Sequence, residues 1–251
     1  MTAPDDEGFA SDSLIGHLVE LRHRLLRGII CLVLVFLALV PFASRLYEWL
    51  SKPLMANMPT GGHPVAIDVL TPFLTPMKLT FFAAIMLSMP FLIYQAWAFV
   101  APGLYKHEKR LALPLLGSAM ILFYAGCAFA YYLVLPAVFV MTQRFLPEGV
   151  LPMTDISRYL DFAVVLFMAF GVSFELPVAV VVLVLLGIVT PAQLREARGY
   201  VVVGIFIVAA IITPPDVISQ LMLAIPMMLL YEIGLIAARF VVARPGRQAP
   251  P

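Results

Sequence analysis

The sequence predicts an all-α protein that crosses a membrane six times. Hydrophobic residues make up 62% of the 251 residues and charged residues 12%, whereas soluble domains average roughly 45–50% and about 25%. The mean hydropathy is +0.99, and so few charged side chains cannot cover the surface of a soluble domain of this size. A net charge of +1 gives no bulk electrostatic reason to expect a nucleic-acid partner.

Six apolar segments predict the transmembrane helices. They are residues 25–43, 77–100, 111–135, 162–186, 200–212 and 217–238. The first four are long enough to cross a hydrocarbon core of about 30 Å, at roughly 1.5 Å per residue. The last two are predicted to be short, because the fifth reaches only about 20 Å and the sixth is interrupted by Ser219, Gln220 and Glu232.

The two short segments allow two arrangements. They either span a locally thinned bilayer or form a re-entrant hairpin that turns at Thr213, Pro214, Pro215 and Asp216. We favour two short spans, which gives a bundle of six helices. Both arrangements return the C-terminus to the same side of the membrane.

The distribution of Lys and Arg predicts that both termini lie in the cytoplasm. With the N-terminus inside, cytoplasmic segments hold eleven of the 16 basic residues. These eleven are Arg22, Arg24, Arg27, Lys106, Lys109, Arg110, Arg195, Arg198, Arg239, Arg244 and Arg247. The two outside connections, residues 44–76 and 136–161, are rich in Pro and Gly and are expected to pack as caps over the outer ends.

The chain is expected to divide into three parts. Residues 1–13 form an acidic stretch that lacks the basic start of a secretory signal and is predicted to be a disordered tail. Residues 14–238 form the membrane domain, and residues 239–251 form a cytoplasmic tail. Asp12 or Ser13 can cap a first helix that begins amphipathic and then becomes apolar.

Glu175 is a carboxyl group placed in the middle of an apolar span. Its charge there costs about 2.5–3.5 kcal/mol on insertion scales, which favours a protonated or internally paired form. Pro177 cannot donate to the carbonyl of Ser173, so we expect a kink beside the acid. The residue either bonds internally between helices or contacts a substrate or partner within the bilayer. The spans offer no obvious basic mate, which favours the contact.

Two further acids, Glu20 and Glu108, lie in basic segments on the predicted cytoplasmic side. The simple interpretations are an i,i+4 pair of Glu20 with Arg24 and solvated pairs of Glu108 with Lys106 or Lys109. The functional interpretation is an anionic site, because a pair of guanidinium groups can form bidentate bonds to the two carboxylates. The residues themselves leave both interpretations open.

Two other residues have simple structural interpretations. Asp216 is expected to cap the sixth helix. Phe99 ends the second span beside Trp97, and aromatic residues at that depth are usually anchors at the membrane surface.

Nothing in the sequence indicates catalysis. It contains no nucleophile elbow, HExxH zinc motif, phosphate-binding loop or dinucleotide fingerprint. Cys31 and Cys127 lie in apolar runs and are expected to be packing residues, and no His and Cys cluster supplies metal ligands. We therefore expect neither an enzyme nor a protein with a metal or cofactor.

Four segments, in order along the chain, resemble the TatC family, the large polytopic subunit of the twin-arginine protein translocase. They are residues 17–25 (HLVELRHRL), 94–108 (YQAWAFVAPGLYKHE), 170–177 (FGVSFELP) and 213–216 (TPPD). The resemblance implies a curved, glove-like receptor in the bacterial cytoplasmic membrane for folded proteins with a twin-arginine signal peptide.

The resemblance also assigns residues to this receptor. It implies that Glu20 and Glu108 bind the arginine pair of the signal peptide and that Phe99 contacts the peptide. Arg22 and Arg24 match the family's basic N-terminal motif and would support that surface.

Further, the resemblance implies small single-span partner subunits of the TatA and TatB types. Glu175 would contact them inside the membrane, and the fifth and sixth helices would form their docking edge with Thr213 and Gln220 as polar contacts. Ala210 is smaller than the residue expected at this edge, and Pro53 matches a functional position in the first outer loop. The proton motive force would supply the energy, and several copies of the chain would assemble within the complex.

Two other classes of function remain as alternatives. A secondary transporter would use Glu175 as a proton-coupled carboxylate, but it would also require symmetric halves with broken helices, and the sequence has no internal repeat. An intramembrane enzyme would require a nucleophile and base, or a metal site.

Overall fold

The computed structural model describes residues 6–56, 70–100, 109–144, 155–212 and 217–242. Nearly all of these residues are helical. The helices are α1 (Asp6–Leu39), α2 (Ala43–Ala56), α3 (Thr71–Val100), α4 (Lys109–Phe129), α5 (Leu135–Arg144), α6 (Ile156–Phe174), α7 (Leu176–Leu185), α8 (Pro191–Glu196), α9 (Arg198–Ile212) and α10 (Val217–Val242). The all-α fold predicted from the sequence is confirmed.

Five stretches are long and apolar enough to cross a membrane. They are Gly16–Trp49, Thr71–Val100, Leu113–Val138, Ser157–Leu185 and Gln220–Val241, and Arg198–Ile212 is a shorter apolar helix. The protein is therefore a multi-pass membrane protein, and its described residues contain five long apolar spans and a shorter apolar helix.

The sixth helix differs from the prediction, because α10 has 26 residues and is not short. Two of the polar side chains that interrupt its sequence, Gln220 and Glu232, have partners, so the helix continues through them. The Gln220 amide donates to the carbonyl of Phe206 at 3.1 Å, and Glu232 pairs with Arg198. Among the candidate spans in the described residues, α9 is the short one, because its 15 residues reach only about 22 Å.

The first helix also differs from the prediction. It begins at Asp6, before the expected caps Asp12 and Ser13, so these two residues lie inside it and residues 6–13 are helical. Acidic residues are favourable in the first turn of a helix because they complement its dipole, and the sequence at this end is Asp6-Glu7. A 3-10 turn, Val40–Phe42, then connects α1 to α2.

Helices α1 and α3 form an antiparallel pair. The ring of Phe36 meets that of Phe81 edge-on with centroids 5.8 Å apart. Nearer the other end, Gly28 of α1 comes so close to Leu92 that an added Cβ would lie 3.0 Å from its Cδ2 atom. Beyond this pairing α1 is largely uncovered, since only 6% of its most apolar window is buried.

The main core lies among α3, α6, α9, α10 and the third span, in which a π-helical segment, Ala130–Val134, joins α4 to α5. Its fully or nearly buried members include Leu79, Phe82, Val134, Leu166, Phe170, Ile205, Ala209, Leu223 and Ala224. A second cluster packs α7 against α10 around Leu185, Tyr231 and Ala238. These two clusters hold α6, α7 and α10 together around the break that separates α6 from α7.

Candidate functional site

The start of α1 and the end of α3 come together at one end of the bundle. The imidazole of His17 stacks on the ring of Phe99, with centroids 4.2 Å apart and planes inclined by 22°. Glu20 follows His17 by about one helical turn, so the stack brings Phe99 into the neighbourhood of this acid. Phe99 is half-buried, which leaves part of its ring available for a ligand.

Glu20 forms the i,i+4 ion pair that the sequence predicts. Nε of Arg24 donates to Oε1 of Glu20 at 2.9 Å, and the two side chains are 21% and 36% exposed, respectively. Arg22 is exposed on the neighbouring face of the helix. An ionised carboxylate offers about four acceptor positions, so the bond to Arg24 leaves capacity for a second guanidinium group.

Several residues singled out from the sequence lie outside the described part of the chain. Glu108, Thr213 and Asp216 belong to the segments 101–108 and 213–216. Pro53 lies within α2, and nothing is described of its side chain. The geometry therefore places Glu20, Phe99, Arg22 and Arg24, but it does not place Glu108.

Glu175 lies at the break between α6 and α7. Its N–H donates to the carbonyl of Val172 at 3.1 Å, and its own carbonyl accepts from Ala179 at 2.8 Å, so the chain continues from one helix into the next. The break occurs two residues before Pro177, at the position where the sequence led us to expect a kink. Oε1 of Glu175 is buried and finds no hydrogen-bond partner among the described residues.

The helices around this break approach very closely. An added Cβ on Gly234 of α10 would lie 2.8 Å from the Cα atom of Pro177. On the α4 side, an added Cβ on Gly126 would lie 2.5 Å from the carbonyl oxygen of Phe170 and 2.9 Å from the ring of Phe174. Glycines allow membrane helices to pack at this distance. A carboxyl group with one oxygen unpartnered among the described residues is thus held in a tightly packed part of the bundle.

Gln220 contributes to the contact between α9 and α10. Because its amide donates to the carbonyl of Phe206, part of its polar capacity is used inside the chain, while its side chain remains half-buried. Ala210 is exposed on α9. The edge formed by these two helices therefore presents mainly apolar surface.

The structure also contains polar groups whose contacts or burial the sequence did not predict. Arg198 and Glu232, 34 residues apart, form an ion pair that depends on the packing of α9 against α10. On α3 the Oγ atoms of Thr75 and Ser88 and Oε1 of Gln95 are buried without partners in the described structure. No local pattern in the sequence indicates the contact of His17 with Phe99.

The fold is that of a polytopic α-helical membrane protein. One carboxylate, Glu20, lies where the start of the first span meets the end of the second, and another, Glu175, lies within the fourth span. Comparison with known proteins identifies the family. Residues 16–226 match the family model described as Sec-independent protein translocase protein (TatC). The chain belongs to this family.

Close relatives and solved structures agree with this assignment. The chain is 56% identical to the Sec-independent protein translocase protein TatC of Haemophilus influenzae and 53% identical to that of Escherichia coli strain K12, covering 92% of this chain and 90% of each relative. It superposes on a crystal structure of the twin-arginine translocase receptor TatC with a TM-score of 0.80 and 34% identity, over 90% of this chain and 99% of that chain.

Family membership establishes the general role of the chain. It is a core membrane subunit of the twin-arginine translocase and works in protein transport rather than catalysis. The family resemblance inferred from the four sequence segments is confirmed.

Proposed function

We propose that this chain is the receptor subunit that binds the twin-arginine signal peptides of folded proteins, through Glu20, Glu108 and Phe99. The observation that carries the proposal is the stack of His17 on Phe99. It joins the helix that carries Glu20 to the end of α3, from which the segment leading to Glu108 departs. The matching crystal structure is that of a twin-arginine translocase receptor, which agrees with this role.

The chemistry of the ligand fits the acids. A guanidinium group is planar and presents donors in a fork that matches the two oxygens of a carboxylate, whereas a lysine ammonium is a compact point charge. Two acids that each bind one arginine would therefore select arginine over lysine at both positions. Arg22 and Arg24 orient the surface, and the bond from Arg24 holds the Glu20 carboxylate in position.

The proposal places the chain in the bacterial cytoplasmic membrane, with both termini in the cytoplasm. The eleven-to-five division of basic residues supports this orientation. Glu20 and Glu108 then face the compartment in which folded cargo proteins and their signal peptides are made.

Equilibrium binding tests the receptor proposal directly. A fluorescent twin-arginine peptide and a matched twin-lysine peptide are titrated against the purified protein in nanodiscs. The protein is used as wild type, Glu20→Gln, Glu108→Gln and Glu196→Gln, the last being a control because Glu196 is an exposed acid on α8. We expect tight binding only for the arginine peptide, weakened at least about tenfold in the first two variants and kept in the control. Equal binding of both peptides to all four proteins would contradict the proposal.

Within the complex, the chain is proposed to bind small single-span partners of the TatA and TatB types through Glu175, with Thr213 and Gln220 on the edge of α9 and α10. Three features support this contact: a buried Glu175 oxygen that has no hydrogen-bond partner in the described part of the chain, a short α9, and a largely apolar edge. A thin wall of this kind strains or thins the adjacent bilayer, which assists passage once several copies assemble with their partners. The proton motive force supplies the energy.

Copurification with tagged partner subunits tests the contact at Glu175. Glu175→Ala is compared with Val172→Ala, which truncates an exposed neighbour on the same helix. We expect the first change to reduce the recovered partner and the second to leave it unchanged. If both variants recover the same amount of partner subunit, Glu175 does not contribute to the partner site.

A further inference from the structure

At the end of the bundle where α8 meets the C-terminal turn of α10, the surface contains a cavity of about 610 Å³. Its lining is formed by Pro191, Ala192, Arg195, Glu196 and Arg239. Two arginines thus converge on one cavity from different helices. Neither the signal-peptide site nor the proposed partner site includes these residues.

The two arginines are attached to a rigid frame. A capping box fixes the start of α8, since Thr190 and Gln193 bond to each other's backbone. The hydroxyl of Tyr231 in α10 donates to the carbonyl of Leu194 at 2.6 Å, directly before Arg195. Ala238, directly before Arg239, is fully buried in the same cluster that Leu194 packs against. The backbone that carries both guanidinium groups is therefore fixed.

The cavity has an excess of positive charge. Arg195 and Arg239 are both exposed, and neither forms an ion pair within the described ranges. Arg198, the nearby arginine on α9, is already paired with Glu232. Glu196 supplies one negative charge to the lining, so two guanidinium groups face one carboxylate. An anion with one or more negative charges complements this surface.

The cavity also lies beside the end of an apolar stretch, where the surface of the membrane is expected. Arg239 is two residues from the end of the apolar stretch Gln220–Val241. The neighbouring aromatic residue Phe240 is 72% exposed, and Tyr200, near the start of α9, is 85% exposed. Exposed aromatic rings at the ends of spans are typical of the interface between lipid headgroups and hydrocarbon.

We propose that this cavity binds the phosphate group of an anionic phospholipid, held by Arg195 and Arg239. Basic pockets between membrane helices are suited to anionic headgroups, and guanidinium groups form charge-assisted, bidentate bonds to phosphate. Both arginines also lie in the last turns of their helices, where a cation complements the helix dipole. This dipole effect accounts for each arginine on its own helix, but it does not account for the convergence of both on one cavity. The bound lipid would attach the junction of α8, α9 and α10 to the bilayer beside the short helix α9.

The test measures how strongly the detergent-purified full chain retains added phosphatidylglycerol by native mass spectrometry. Phosphatidylcholine serves as the neutral lipid, and glycerol phosphate is a soluble competitor that carries the same phosphate chemistry. The variants are Arg195→Ala, Arg239→Ala, the double alanine variant and the double lysine variant. The control is Arg158→Ala, which removes an arginine from the start of α6 that is 89% exposed.

We expect the wild type to prefer phosphatidylglycerol over phosphatidylcholine. Each alanine variant should bind it about fivefold more weakly and the double variant about thirtyfold more weakly, from the usual contribution of a basic residue near a charged membrane. The double lysine variant keeps both positive charges and should retain part of the affinity for phosphatidylglycerol. Its binding would show that substitution at these two positions does not unfold the protein. Unchanged binding by the double alanine variant, an equal loss in Arg158→Ala, or full displacement by glycerol phosphate would each overturn the proposal.

Discussion

The imidazole ring of His17 stacks on the phenyl ring of Phe99 with their centroids 4.2 Å apart. This contact joins the start of the first span to the end of the second. Glu20 lies one turn further along α1, and its carboxylate accepts from Arg24. The segment 101–108 continues directly from α3, so the chain that carries Glu108 starts next to this stack. The stack thus brings Phe99 close to Glu20, although the two residues are far apart in sequence, and this proximity supports the proposal that both contact one ligand.

Phe99→Ala is expected to weaken signal-peptide binding. The change removes the ring that packs on His17, and aromatic pairs contribute about 0.5–1.5 kcal/mol beyond the area that they bury. We therefore expect a loss of affinity of about two- to tenfold, with near wild-type affinity restored in Phe99→Tyr. Peptide titration in nanodiscs provides the measurement. A tyrosine variant as weak as the alanine variant would show that the stacked ring is not the relevant feature.

Glu20→Gln is expected to reduce peptide affinity without unfolding the protein. An exposed i,i+4 ion pair stabilises the fold by only about 0.3–0.5 kcal/mol, whereas a hydrogen bond to a charged group contributes roughly 1.5–3 kcal/mol. We expect about a ten- to hundredfold loss of affinity and an unchanged melting temperature. Arg24→Gln should cause a smaller loss, because Arg24 only orients the carboxylate. Tighter binding by Arg24→Gln would instead show that Arg24 competes with the ligand.

Two glycines on α4 provide a matched test of the packing beside Glu175. In Gly126→Ala the new methyl group would lie 2.5 Å from the carbonyl oxygen of Phe170, whereas Gly117→Ala meets no atom within 4 Å. Overpacking costs about 1–3 kcal/mol, while alanine in an open helix position gains up to about 1 kcal/mol. We expect the first variant to lower the melting temperature and the second to leave it equal or higher. A reversed order would contradict the close approach of α4 and α6.

Glu175→Leu is expected to separate stability from function. A buried polar atom without a partner is costly, so its replacement by an apolar side chain is neutral or stabilising. We expect an unchanged or higher melting temperature together with loss of partner copurification and of cargo export. A large fall in melting temperature would mean that Glu175 bonds to another part of the same chain, which would make its role structural.

The sequence predicts those features that depend on local composition. The apolar segments give the helices and their order, Pro177 predicts the break beside Glu175, and the spacing of Glu20 and Arg24 predicts their ion pair. Each of these rests on residues within a few positions of one another. The short length of α9 follows equally from its own sequence.

The features that the sequence did not predict depend on contacts between distant segments. Helix α10 appears short from its sequence because Gln220 and Glu232 interrupt it, but Phe206 and Arg198 of α9 supply their partners. Likewise, the contact of His17 with Phe99 arises from the antiparallel packing of α1 on α3. The early start of α1 was missed because an acidic stretch is compatible with either a tail or a helix.

The most direct measurement of the receptor proposal is photo-crosslinking in membranes that contain the assembled translocase. A photoreactive phenylalanine analogue replaces Phe99 at one end of α3 or Phe73, which is 66% exposed at the other end, and a precursor with its twin-arginine signal peptide is added. We predict a crosslink to the signal peptide from position 99 and not from position 73, and its loss when the two arginines become lysines. Equal crosslinking from both positions, or a crosslink that persists with lysines, would contradict the proposed site.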